Sequence, residues 1–409
     1  FFRWIFSYVI MFPVIQMFAL LLAVIYLTFI SLGLPDSLLG SAWPKMHLDF
    51  NVPVSYMGIV TMIISACTIF SSLFSDRLTK KFSTKIVTLI SVFLTAIAIL
   101  GFSFTRNFIV LCLLAVPYGL GAGAIDATLN NYVANHYSSK HMNWLHCFWG
   151  VGTIVSPYVM SYALSTEQSW PLGYRTISYV QLGITLILFL SPLWNKGKSH
   201  EVEEIEEEKN TKVLSFKEKL KIKGLIYLLF TFLFYCSIES IFIQWTSTYL
   251  VNVKEFSVEL AAAYASFFFI GMTLGRLVSG FISQKLNDKK MIIFGSVIIF
   301  MGIILLYLPI QNHTFTLIML ILIGFGCGPI YPAIIHATPI FFDKKESQGI
   351  IGLEMASAYI GSTFMPPLFG IISRQISFQI LPYVISILFV LCMTFFILLL
   401  KKIEKKDKD

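Results

Sequence analysis

Apolar runs of roughly 20 residues recur along the whole chain and alternate with short polar segments. A helix of that length crosses the roughly 30 Å hydrocarbon core of a bilayer, because each helical residue adds about 1.5 Å. The pattern therefore predicts a polytopic, all-α membrane protein. Twelve transmembrane helices are predicted, at residues 19–44, 56–74, 86–104, 108–134, 143–165, 174–194, 224–250, 260–282, 291–309, 315–341, 349–373 and 379–400.

Composition supports this class and excludes a soluble globular protein. Of the 409 residues, 56% are hydrophobic and only 13% are charged, which leaves too few charges to coat a water-facing surface. The formal charge of +8 fits lysine and arginine in loops beside a membrane, so we predict no nucleic-acid partner. All six cysteines lie in apolar runs and show no metal-ligand spacing, so we predict neither a disulfide framework nor a metal site.

The distribution of basic residues predicts the orientation of the spans. With both termini inside, 24 lysines and arginines fall in cytoplasmic segments and five fall outside. Cytoplasmic loops of membrane proteins carry the excess of positive charge. We therefore expect a multi-pass protein of the cell membrane with both termini in the cytoplasm. Arg276 is left over, inside a predicted span.

One long polar segment divides the predicted spans six and six. It carries a run of glutamates followed by a lysine-rich stretch, which we interpret as a solvated linker helix, with a regulatory docking site as the alternative. The predicted domains are an interfacial lead-in (1–18), an N-terminal six-helix half (19–195), a cytoplasmic linker (196–223), a C-terminal six-helix half (224–400) and a cytoplasmic tail (401–409).

Three pairs of similar segments indicate that the two halves are homologous. Residues 119–126 resemble 324–331, residues 152–157 resemble 361–366, and residues 72–78 resemble 280–286, at offsets of 205, 209 and 208 residues. Nearly equal offsets predict two repeats of the same orientation. Such repeats pack around an axis along the membrane normal and enclose a cavity near mid-depth.

The segment after the second span resembles a loop motif of the major facilitator superfamily, which implies the fold of that superfamily. Asp76, Arg77 and the basic pair that follows them match the motif, whereas Ser72 and Thr79 stand where the family usually has glycine. In the second repeat Gln284 replaces the acid. In that family the loop is a conformational latch, whose aspartate pairs with a neighbouring helix end in one state and releases it in the other. The resemblance implies this role for Asp76 and Arg77.

A narrower resemblance is to the fucose:proton symporter branch of that superfamily. It covers nearly the whole chain and is carried by residues 34–39, by Asp126 with Asn130, by Tyr235 with Glu239 and Trp245, and by residues 361–367. The branch transports neutral sugars with protons and uses acids of its first and fourth helices for coupling. The resemblance implies that Asp36 and Asp126 couple protons to transport.

Ionisable side chains inside the spans indicate proton coupling independently of that resemblance. A charge at the centre of a membrane helix costs about 2.5 to 3.5 kcal/mol, so it persists when it is paired, faces water or has a function. One arginine cannot neutralise four acids, and burial favours the protonated form of a carboxylic acid. The four acids are Asp36, Asp126, Glu239 and Glu354.

We predict that Asp36, Asp126, Glu239 and His146 carry protons, each with a structural alternative. The two aspartates could instead serve as structural hydrogen-bond acceptors. Glu239 could anchor a broken helix, and His146 could donate to a backbone carbonyl. We interpret Glu354 as a packing residue or an ion-pair partner of Arg276, which is also close enough to the inner face to snorkel. His336 is interpreted as structural.

Five further side chains are predicted to bind the solute. Amide groups can bond to hydroxyls, and aromatic rings can stack on the C–H faces of a sugar. An anionic solute would require a pair of cationic side chains, which these spans lack, so a neutral sugar or polyol fits best and a cation second. The predicted solute-binding residues are Asn130, Asn143, Gln244, Trp245 and Tyr331.

These features favour a secondary transporter that couples a small neutral polar solute, preferably a sugar, to protons by alternating access. The alternatives are a cation or drug:proton antiporter and, in another class, a non-transporting membrane receptor or scaffold. We expect no enzyme, since the chain has no phosphate-binding loop and no nucleophile elbow. We also expect no cofactor beyond the proton gradient, and a monomer.

Overall fold

The computed structural model describes residues 20–53, 56–166, 170–191, 215–256, 258–342 and 344–406, which form helices and connecting turns without a strand. Helix α1 covers residues 20–36. The later helices are α2 (Leu38–Asp49), α3 (Met57–Leu73), α4 (Ser75–Phe104), α5 (Phe108–His136), α6 (Ser139–Thr166), α7 (Trp170–Leu190), α8 (Phe216–Lys219), α9 (Leu225–Lys254), α10 (Val258–Ile282), α11 (Asp288–Leu306), α12 (His313–Cys327), α13 (Ile330–Phe341), α14 (Lys344–Gln375) and α15 (Leu381–Lys406).

The helices confirm the all-α membrane fold. Within the described ranges, eleven helical stretches are long and apolar enough to cross a bilayer, among them Leu20–Trp43 and His313–Phe341, each built from two consecutive helices. The remaining predicted span corresponds to α3, which has 17 residues and is shorter than the others. Every predicted span therefore has its helix.

Helix α4 begins at Ser75, whereas the predicted third span begins at residue 86. A break in the helix explains the difference. The helical path breaks at Ser83, which has a φ of 67° and a ψ of 157°. The turns before this break carry Asp76 and a series of basic residues, whereas the helix is apolar from Ile86 onward, one turn after the break. The break thus separates a charged, short helix from the membrane span, as the hydropathy pattern indicated.

The chain forms two compact units by spatial contact. Unit 1 consists of Phe1–Cys67, Arg77–Leu129 and Phe148–Lys212, and unit 2 of Thr68–Asp76, Asn130–Cys147 and Val213–Asp409. Unit 2 therefore includes two segments that precede the linker in the sequence. These two units do not coincide with the two repeats predicted from the sequence at 19–195 and 224–400. The division into two repeats stays a prediction.

The core of unit 1 is rich in aromatic side chains. Trp170 is fully buried and packs edge-to-face on Tyr174, and its indole N–H donates to Asp49 Oδ2 at 2.7 Å. Tyr174 in turn packs edge-to-face on Phe102. Edge-to-face pairs place the positive rim of one ring against the negative face of the next. This cluster ties α2, α4 and α7 together.

Glycines allow helix backbones to touch within each unit. In unit 1, a methyl group at Gly33 would overlap the carbonyl of Trp149, and one at Gly152 would overlap the carbonyl of Ile30, so α1 and α6 cross backbone to backbone. In unit 2, Gly271 of α10 and Gly324 of α12 have the same relation to backbone carbonyls of the opposite helix. Small residues at crossings are a common packing device between membrane helices.

The crossing in unit 2 yields a prediction for stability. We expect Gly324→Ala to lower the unfolding free energy by about 1 to 3 kcal/mol, because the new methyl group meets the Phe268 carbonyl and no rotamer change can relieve the overlap. Gly183→Ala is the matched control, since nothing lies within 4 Å of its added methyl group. Thermal unfolding in detergent checks this, and equal Tm values for the two variants would contradict it.

Candidate functional site

A break in the first span presents Asp36. Pro35 has no backbone N–H, so the carbonyl of Ser31, one turn earlier, loses its usual helical donor. Gln181 of α7 replaces that donor, with its Nε2 at 2.7 Å from Ser31 O. The chain turns at Ser37, whose hydroxyl donates to Thr153 O at 2.8 Å. The local sequence therefore ends α1 at Asp36 and anchors both sides of the break.

The carboxylate of Asp36 is held by two neutral donors. Trp149 Nε1 donates to Oδ2 at 2.9 Å, and the Tyr118 hydroxyl donates to Oδ1 at 3.0 Å. Asp36 is nevertheless an exposed residue. No lysine or arginine of the described chain forms an ion pair with it. An acid that is accessible, inside a span and not neutralised by a cation can take up and release a proton.

Asp126 lies in the same unit, on α5, two turns after Tyr118. It is 5% exposed, in a helix segment of small residues. Asn130 follows one turn later, is fully buried and belongs to unit 2. Two of the three acids predicted to carry protons are thus one accessible and one buried carboxylate of unit 1, and their role stays a prediction.

In unit 2, His146 of α6 contacts two of the predicted solute-binding residues. Its Nε2 is 3.0 Å from Asn130 Oδ1, and its ring packs edge-to-face on Tyr331 with a centroid separation of 4.9 Å. An amide oxygen only accepts, so Nε2 carries the hydrogen. The Tyr331 hydroxyl donates to Met355 Sδ at 3.3 Å. His146, Asn130 and Tyr331 therefore form one cluster, which the structure brings together from α5, α6 and α13.

An ion pair lies in the same unit. Arg276 Nη2 is 3.7 Å from Glu239 Oε1, and Glu239 Oε2 accepts a hydrogen bond from the Tyr235 hydroxyl, one turn earlier on α9. Arg276 Nη1 also lies 3.5 Å from the carbonyl of His146. With 3% exposure, Arg276 does not snorkel, and its partner is Glu239 rather than Glu354. Both sequence interpretations of Arg276 were wrong, because neither sequence distance nor hydropathy shows which helices are neighbours.

Glu354 is a fully buried acid without a cationic partner among the described residues. The Thr338 hydroxyl donates to its Oε1 at 2.7 Å, and its Oε2 has no hydrogen-bond partner in that part of the chain. The Thr338 hydroxyl satisfies one of its two oxygens, so Glu354 packs as a polar core residue, which is the first of the two sequence interpretations.

The other predicted solute-binding residues do not share one environment. Trp245 donates through its indole N–H to Pro366 O at 2.8 Å and packs so closely on Gly370 that a methyl group there would overlap its ring. Asn143 is fully buried and donates to Ser139 O at 2.9 Å. Gln244 is exposed. Their roles in binding stay predictions.

The predicted latch residues lie at the start of α4. Asp76 is buried and forms an ion pair with Lys219 of the short linker helix α8, whereas Arg77 is exposed. Sequence reasoning missed Lys219, because a lysine within a charged linker resembles any solvated residue. It also missed the two donors of Asp36, since rings are so common in this chain that Tyr118 and Trp149 gave no distinct signal.

Comparisons with known proteins agree with this architecture. The family model described as Major Facilitator Superfamily matches residues 25–338 and 260–409. The glucose/mannose transporter GlcP of Bacillus subtilis (strain 168) is 23% identical over 351 residues, which are 84% of this chain and 86% of that protein.

Two solved structures share the fold. The transporter FucP, solved in the outward conformation, has a TM-score of 0.74 at 15% identity and covers 91% of this chain and 97% of its own. The proton:xylose symporter XylE has a TM-score of 0.74 at 12% identity and covers 91% and 94%. At these identities the likeness shows the fold alone. Because the family model matches well over half of its length, this chain belongs to the Major Facilitator Superfamily, and it is a membrane transporter rather than an enzyme.

Proposed function

We propose that this transporter is a symporter that moves a small neutral polar solute, preferably a sugar, together with protons by alternating access. The observation that carries the proposal is Asp36, an accessible acid inside a span whose carboxylate has two neutral donors. An ionisable side chain inside a span is costly unless it is paired with a cation, faces water or has a function, and Asp36 is accessible rather than paired with a cation.

The two donors suit an acid that changes its protonation state. A hydroxyl group both donates and accepts, whereas an indole N–H only donates. The Tyr118 hydroxyl can donate to the charged carboxylate and can rotate to accept from the protonated acid. Trp149 keeps its hydrogen bond to the other oxygen in both states. Asp36 therefore has a hydrogen-bonded arrangement both with and without a proton.

The charges available in the spans support a neutral solute. Recognition of a phosphate or carboxylate usually employs arginine or several cations. Arg276 is already paired with Glu239. The names of the relatives point in the same direction, since GlcP is a glucose/mannose transporter and XylE a proton:xylose symporter. We therefore propose a sugar, and we propose the proton gradient as the driving force, without a cofactor.

The orientation belongs to the same proposal. The excess of basic residues in alternate loops supports a cell-membrane protein with both termini in the cytoplasm. In that orientation a proton gradient directed inward would drive the solute into the cell. Import is thus the direction in which the coupled cycle is expected to run.

Uptake by proteoliposomes tests this function. We expect an outside-acid gradient to drive accumulation of at least one labelled sugar from a panel of D-glucose, D-mannose, L-fucose and D-xylose, and expect a protonophore to abolish it. Symmetric pH is the control. Proton entry coupled to the exit of a cation such as ethidium would instead support the antiporter, and the absence of any flux would support the receptor or scaffold.

A further inference from the structure

His336, near the end of α13, places both of its ring nitrogens against oxygen atoms. Nδ1 lies 2.7 Å from Asp288 Oδ2, at the start of α11, and Nε2 lies 2.9 Å from the backbone carbonyl oxygen of Tyr137. Tyr137 lies in the turn between α5 and α6, and all three residues belong to unit 2. One imidazole ring therefore joins the α5–α6 turn to the beginning of α11 and the end of α13.

These two contacts require more hydrogen atoms than a neutral ring supplies. A backbone carbonyl oxygen only accepts, so Nε2 must carry a hydrogen. An ionised carboxylate also only accepts, whereas a neutral imidazole has a single N–H group. Both contacts therefore form together only when one further proton lies between Nδ1 and Oδ2, whichever of these two atoms holds it.

The surroundings of Asp288 leave this histidine as its partner. The side chains of His336 and Asp288 are 12% and 7% exposed, and Asp288 Oδ1 has no hydrogen-bond partner in the described part of the chain. The start of α11 does not depend on Asp288, because Asn287 is the N-cap and its Oδ1 accepts from the Lys290 N–H at 3.0 Å. The carboxyl group is therefore available to hold a proton together with His336.

Among the described residues, Asp288 is the charged side chain that bonds to His336. Helices α9, α11, α12 and α14 pack against α13, and α12 contributes no lysine, arginine, aspartate or glutamate. On α9, Glu239 is paired with Arg276, and on α14, Glu354 bonds to Thr338. The ring of Tyr137 packs edge-to-face on His141 of α6. The other charged side chains at the adjoining ends of α11 and α14 are Lys289, Lys290, Lys344, Lys345 and Glu346.

We propose that His336 and Asp288 form a proton-binding site that fastens the α5–α6 turn to α13. When the site releases its proton, the neutral ring can donate to only one of the two oxygens. It keeps the carboxylate, because a hydrogen bond to a charged oxygen is about twice as strong as one to a neutral oxygen. The carbonyl of Tyr137 is then released.

The sign of the pH dependence follows from this count of hydrogens. The fastening is present at low pH, when the site holds its proton, and is lost as the pH rises. The transporter thereby responds to the pH on the side of the membrane where the α5–α6 turn lies. The site is separate from Asp36 and Asp126, which belong to unit 1, and the inference does not depend on the solute.

Hydrogen–deuterium exchange of the full chain in detergent tests the site without any solute. Exchange is compared at about pH 6 and about pH 9, on either side of the range in which histidine usually titrates. After correction for the intrinsic effect of pH on amide exchange, we expect protection of residues 134–142 to be at least about fivefold lower at the higher pH. His313→Gln, which replaces an exposed histidine of the same unit, is the matched control and should keep this pH effect.

Asp288→Asn distinguishes a proton site from a merely structural ion pair. The amide group of asparagine can donate to Nδ1 while Nε2 donates to the Tyr137 carbonyl, so both contacts form around a neutral ring. We therefore expect high protection of residues 134–142 at both pH values in this variant. A structural ion pair predicts low protection at both, because the substitution removes its charge. His336→Gln should have low protection at both pH values.

Three results would overturn the inference. They are equal protection of the unmodified protein at the two pH values, low protection of Asp288→Asn at both, and a pH effect that survives in either variant of the pair. The unmodified protein and Asp288→Asn decide the question even if His336→Gln does not fold.

Discussion

In proteoliposomes containing the Asp36→Asn variant, an inward proton gradient is expected to concentrate no sugar, while exchange of sugar across the membrane at symmetric pH continues. The unmodified protein should reach about tenfold accumulation for a gradient of one pH unit and one coupled proton, because about 1.4 kcal/mol corresponds to a factor of ten. The loss of accumulation is the largest effect expected from a single substitution in this protein.

The reason is that asparagine preserves the shape of the site but cannot carry the proton. Its amide oxygen can still accept from Trp149 or Tyr118, so the break between α1 and α2 keeps its hydrogen bonds. Solute binding and the conformational change are then retained, whereas the link to the gradient is lost. Measuring accumulation and exchange on the same vesicles separates these two effects.

Asp49→Asn is the control for this experiment. Asp49 also accepts a hydrogen bond from an indole, that of Trp170 at 2.7 Å, but it lies at the end of α2, is exposed and pairs with Lys45 at 3.8 Å. Its loss should leave gradient-driven accumulation intact. If Asp36→Asn still concentrated the sugar as the control does, Asp36 would have no part in coupling.

For Arg276→Gln we expect a loss of about 3 to 5 kcal/mol in unfolding free energy, because Glu239 would keep a buried charge without its counter-ion. The arginine and glutamate side chains are 4% and 13% exposed, so water can replace little of the lost interaction. Thermal unfolding in detergent should show a clearly lower Tm for this variant.

Two further variants make that prediction specific. Adding Glu239→Gln to Arg276→Gln should recover much of the loss, since the remaining amides are neutral and can bond to Tyr235. Lys45→Gln breaks an exposed pair and should cost no more than about 1 kcal/mol. If Arg276→Gln unfolded at the same temperature as Lys45→Gln, the buried pair would not contribute to stability.

Hydropathy along the chain was sufficient for the membrane class and the number of spans, because a bilayer imposes the same requirement on each helix separately. The apolar run 86–104 marks the third span correctly even though α4 begins at Ser75, since the helix is apolar only from Ile86 onward. Residue identity was likewise enough to find Asp36, because any acid within an apolar run is conspicuous.

The partners of those acids could not be obtained in the same way. Tyr118 and Trp149 are 82 and 113 residues from Asp36, and Lys219 is 143 residues from Asp76. A hydrophobic period reports which face of a helix is buried, but it carries no information about which other helix covers that face. The sequence offered Glu354 as the ion-pair partner of Arg276, whereas the packing of α9 beside α10 makes Glu239 its partner. An ion pair requires its two charged groups to lie within a few ångströms of each other. In this chain only the tertiary structure determines which groups come that close.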